Sequence, residues 1–77
     1  MENQNEVLGK RMKTATLHCE APLGMSRKVV TVYYRNNCLA EYNTLEEAQE
    51  WAKRNGFTHA RYSGTFSGKD QPKAGEL

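Results

Sequence analysis

His18, Cys19, Cys38 and His59 are the residues of this chain best suited to metal binding or nucleophilic chemistry. A zinc site needs four such ligands to converge, usually in short paired spacings. The sequence has no Cys-x-x-Cys and no His-x-x-x-His. His18 and Cys19 are adjacent on a predicted strand, so they point to opposite faces. A Cys19–Cys38 disulfide is geometrically open to neighbouring strands. The cytoplasmic setting expected below favours two free thiols instead, Cys19 in the core and Cys38 near a turn. Cysteine–histidine catalysis would need a shaped pocket and a third, orienting group. Glu46, Glu47 and Glu50 belong to a helix start rather than to a carboxylate pair. There is no glycine-rich phosphate loop. The expectation is a protein that is not an enzyme, with no metal, no cofactor and no small-molecule substrate.

The chemistry that remains is recognition. Tyr33, Arg35 and Arg61, with His18 and His59, fall on one side of the predicted strands. Tyrosine and arginine are enriched at the energetic centres of protein interfaces. Aromatic and basic residues on an exposed sheet also stack single-stranded bases and hold phosphates.

The element that must position these residues is the stretch from Asn43 to Gly56. Thr44-x-x-Glu47 is a capping box: the hydroxyl accepts from the Glu47 amide and the carboxylate reaches back to the Thr44 amide. Acidic residues follow at the start, Lys53 and Arg54 stand near the end, and Gly56 supplies the left-handed stop. Glu50 and Arg54 have the favourable four-residue spacing. Leu45, Ala48 and Ala52 form an apolar stripe, flanked by Trp51, which is read as a core anchor.

Around this helix the sequence predicts strands. Thr14 to Cys19 alternates, with Ala15, Leu17 and Cys19 on one side. Lys28 to Arg35 is β-branched and aromatic almost throughout. Cys38 to Tyr42 returns after an asparagine turn. A three-residue loop over Asn36, Asn37 and Cys38 places Val30, Val32, Tyr34, Ala40 and Tyr42 together. The opposite face then carries Val29, Thr31, Tyr33, Arg35, Leu39 and Glu41. Phe57 to Tyr62 reads as the last strand, with Ala60 and Tyr62 inward and His59 and Arg61 outward. The predicted fold class is α+β: a small antiparallel sheet in the order β-β-β-α-β, one face under the helix and one open. Its edges offer strand addition as a further binding mode.

The 77 residues allow one domain. Residues 1–11 are expected to be a flexible lead, 12–66 the domain, and 67–77 a disordered tail. A core this small supplies roughly 3–5 kcal/mol, which leaves a monomer or a weak dimer. No apolar run is long enough for a membrane, and the polar start does not read as a signal peptide, so the expected location is the cytoplasm. A net charge of +2 is weak for a nucleic-acid binder. The local basic cluster is Lys10, Arg11 and Lys13, able to meet a phosphate or an acidic surface.

Thr44-Leu45-Glu46-Glu47-Ala48, an acidic helix with a tryptophan, and Gly56-Phe57-x-x-x-Arg61 resemble the small T7-type phage inhibitors of bacterial RNA polymerase. The likeness in element order spans roughly residues 14–62. In that family a Thr-Leu-Asp-Glu-Ala helix start precedes a Gly-Phe-x-x-x-Arg-x-Arg strand whose arginines contact the polymerase. Arg61 matches the first arginine, and Ser63 stands at the second. The resemblance implies a phage- or mobile-element-type protein that binds and regulates or inhibits a host protein. The alternative is a nucleic-acid-binding module using the same face.

Overall fold

The computed structural model describes residues 12–21, 27–66 and 72–77. Residues 1–11, expected to be a flexible lead, and residues 22–26 and 67–71 lie outside the described residues. The elements run β1 (Thr14–Glu20), β2 (Val29–Tyr34), β3 (Asn37–Tyr42), α1 (Leu45–Arg54), β4 (His59–Gly64) and β5 (Gly75–Glu76). The fold is α+β, with one helix packed on a five-stranded sheet of order β3-β2-β1-β4-β5.

The sheet is mixed rather than antiparallel. β1 pairs β2 antiparallel but pairs β4 parallel. The reason is the crossover. β3 leads into α1, which packs over β3, β2 and β1 and delivers the chain to the far side of β1. β4 then enters in the same direction as β1. Part of the expected tail is also ordered into the sheet: Gly75 and Glu76 pair with Ala60 and His59, and the Leu77 amide donates to the Thr58 carbonyl (3.0 Å).

The helix forms as its local signals require. Thr44 Oγ1 accepts from the Glu47 amide (3.2 Å) and donates to Glu47 Oε1 (3.0 Å). The carboxylate thus takes the hydroxyl rather than the Thr44 amide. At the other end the Gly56 amide donates to the Lys53 carbonyl and the Phe57 amide to the Ala52 carbonyl. That pair of bonds is a Schellman motif, closed by Gly56 at φ 88°. Phe57 is thereby turned into the core, where it meets Tyr34 edge-on and Trp51 at a tilt.

The core comprises Ala15, Leu17, Cys19, Val30, Val32, Ala48, Ala52, Phe57 and Ala60. Trp51 is half-buried and packs against this cluster from the side. The alternation of β1, β2 and β4 faces the core as expected. The β2–β3 hairpin reaches the expected facing by another route. Tyr34 pairs with Asn37, which leaves a two-residue turn of Arg35 and Asn36. Both have positive φ, 51° and 66°, as a type I′ turn requires. A bulge then lets Leu39 slip out, 42% exposed, and restores Val32 to Ala40 and Val30 to Tyr42.

Candidate functional site

The sheet face away from α1 carries Thr14, Thr16, His18 and Glu20 of β1. Strand pairing sets their neighbours. Thr16 lies between Tyr33 and Arg61, and His18 between Thr31 and Ser63. Thr31 in turn pairs with Glu41. Two cross-strand rows therefore stand side by side on this face: Tyr33–Thr16–Arg61 and Glu41–Thr31–His18–Ser63. Tyr33 is half-buried and Arg61 exposed, so both present side-chain surface to solvent. Val29 and Thr31 share the face but are each only 6% exposed, so its accessible part is concentrated on β1, β4 and the end of β2.

His18 makes side-chain contacts through both ring nitrogens on this face. Its Nδ1 lies 2.8 Å from Ser63 Oγ, and its Nε2 lies 2.9 Å from Glu20 Oε1. The ring also meets Tyr33 edge-on, with centroids 6.4 Å apart. Ser63, His18 and Glu20 thus form a continuous polar chain across β4 and β1. The side chain of His18 is 31% exposed and that of Glu20 57%. The chain lies on an open surface. Its evident effect is to hold the imidazole upright beside Tyr33.

Arg35 departs from the expected strand position, and His59 lies at the end of the open face. Arg35 leaves the strand alternation because it occupies the first turn position. Its guanidinium lies over the Tyr34 ring, with Cζ 5.1 Å from the centroid. His59 sits on the open side by register, opposite Thr14, but its Nδ1 is 2.7 Å from Thr58 Oγ1. It lines a depression of about 480 Å³ with Met12, Lys53, Phe57, Glu76 and Leu77 at the end of the sheet. Thr58 is held there by the Lys13 amide, which donates to its hydroxyl (2.9 Å). Of the five residues singled out in the sequence, the structure brings together Tyr33, Arg61 and His18. Arg35 lies at the margin, and His59 lies on the same face as Arg61, two residues earlier on β4, toward the end of the sheet.

Comparison with protein-family models, curated proteins and solved structures finds no match for this chain.

Ser63 and Glu20 are members of the site that the sequence reading passed over. Glu20 was legible, since it stands two residues from His18 and must share its face. Ser63 was not, because it meets His18 only through the parallel β1–β4 pairing, 45 residues away. Cys19 is buried and Cys38 exposed, and the two are not bonded. Among the described residues, no three of His, Cys, Asp and Glu come together in a way that could hold a metal ion. No described helix is long and apolar enough to cross a membrane.

Proposed function

We propose that this chain is a non-enzymatic binding module that regulates or inhibits another protein, a host protein in the phage-type reading, through the open sheet face. The observation that carries the reading is the row Tyr33–Thr16–Arg61, an aromatic and an arginine presented on a rigid, hydrogen-bonded strand surface. Tyrosine and arginine are enriched among the few residues that dominate the energy of protein contacts. The charge of the face supports a protein rather than a nucleic acid. Arg61 shares it with Glu20, Glu41 and, by its pairing with His59, Glu76. A polyanionic backbone would meet these carboxylates as well as the arginine.

The test is capture from bacterial lysate by the tagged chain, with and without nuclease, compared with a Tyr33→Ala/Arg61→Ala variant. The reading expects one protein retained by the wild type after nuclease and lost with the variant. Retention that disappears with nuclease would transfer the site to nucleic acid. Equal retention by the variant would remove the face from the mechanism.

A further inference from the structure

Lys13 and Arg35 converge on a single aromatic ring. Lys13 Nζ lies 5.3 Å from the centroid of Tyr34 and 4.5 Å from that of Phe57, and Arg35 Cζ lies 5.1 Å from that of Tyr34. Among the described residues, neither cation is paired with a carboxylate. Cations without a carboxylate partner are available to an anion that approaches them.

A second observation points the same way. Arg35 holds φ 51° in the β2–β3 turn. That position strongly favours glycine or asparagine, and a bulky side chain there works against the backbone. Strain of this kind concentrates where a side chain is needed for contact. Beside it, Thr14, Thr16, Tyr33, Tyr34, Arg35 and Asn36 line a shallow depression of about 320 Å³. Two threonine hydroxyls, a phenol and a carboxamide are hydrogen-bonding groups suited to carboxylate oxygens.

We propose that this corner is an anion-recognition site for a glutamate- or aspartate-bearing segment of the protein partner. It rests on the protein-binding reading and gives that partner a chemistry. A peptide carboxylate fits better than a nucleic-acid backbone. Base stacking needs a free aromatic face, whereas the Tyr34 ring already carries two cations and Tyr33 packs on His18. The neighbouring carboxylates Glu20 and Glu41 oppose an extended polyanion but tolerate a single acidic side chain set among neutral ones.

The test titrates the isotope-labelled full chain with a synthetic peptide alternating glutamate and serine, its glutamine counterpart, and single-stranded oligothymidine, read by amide chemical shifts. The glutamate peptide is expected to shift Thr14, Thr16 and residues 33–36, with the glutamine peptide inert. Arg35→Gly is expected to weaken binding by about tenfold, the effect of one lost charge-assisted contact, without lowering the melting temperature, since glycine suits the turn. Lys13→Gln, which leaves the turn untouched, is expected to weaken it similarly. Equal shifts from the glutamine peptide, unchanged affinity in both variants, or tighter binding of oligothymidine would each overturn the proposal. Failure here with capture from lysate intact would remove only the acidic partner chemistry. Peptide binding at the corner with capture lost would remove the partner reading and leave the anion site.

Discussion

Along β1, Ala15, Leu17 and Cys19 are almost fully covered, whereas Thr14, Thr16 and His18, one step away on the same strand, keep contact with water. The two faces of the sheet are built on different physics. The face beneath α1 is held by dense apolar packing, where each methylene has partners on every side. The outer face is held by cross-strand polar contacts, which contribute less individually and leave side-chain surface free for another molecule. The period-two alternation therefore sets a packed face against a more accessible one, and substitutions on the two faces should report different properties.

The largest effect is expected at Leu17, which is 0% exposed. Leu17→Ala should cost about 2–5 kcal/mol, comparable with the whole stability of so small a domain. Urea denaturation would show it, and a loss under about 1 kcal/mol would break the contrast, because such losses belong to surface sites. Gly64→Ala should come next. Gly64 has φ 91°, and a Cβ there would stand 2.1 Å from the Cys19 carbonyl oxygen. Backbone atoms cannot yield cheaply, so a loss of about 2 kcal/mol or more is expected. Because this residue joins β4 to β1, hydrogen exchange should show the parallel pair opening before the β1–β2 pair.

Trp51 sharpens the comparison because it lies between the two regimes. It packs on Phe57 but also lines a shallow surface depression with Tyr42, Glu47, Glu50 and Arg54. Trp51→Ala should cost about 1–3 kcal/mol, less than the 3–5 of a fully enclosed aromatic. A full core-sized loss in thermal melts would place it with Leu17 instead. The smallest effect is expected from Arg61→Ala, within about 0.5 kcal/mol of wild type, since the side chain is exposed and makes no ion pair among the described residues. Adding Tyr33→Ala should cost about 1 kcal/mol more through the lost edge contact with His18. If the double variant unfolds, the outer face is structural and the contrast fails.

Several features were legible in the sequence because they depend on near neighbours. The Thr44 cap, the Ala48 and Ala52 stripe and the Gly56 stop involve residues within a turn or so of one another, so local signals mark the bounds and the inner face of α1. The division of β1, β2 and β4 into inner and outer residues was legible for the same reason: alternation is a property of the strand itself. The tertiary structure alone decided which strands meet. The parallel β1–β4 pairing depends on α1 crossing the sheet, and no local signal at Phe57 or Thr58 encodes the direction in which β4 enters. The same crossing sets Ser63 beside His18. At the hairpin, the asparagine pair marked the turn, but the turn falls one step earlier, on Arg35 and Asn36, and the bulge at Leu39 restores the inward facing that a three-residue loop would also give. Burial of Val30 and Val32 sets which face of the hairpin turns inward, because alternation is fixed within each strand, but only the paired strands decide where the turn falls, and that placement brings Arg35 to the Tyr34 ring.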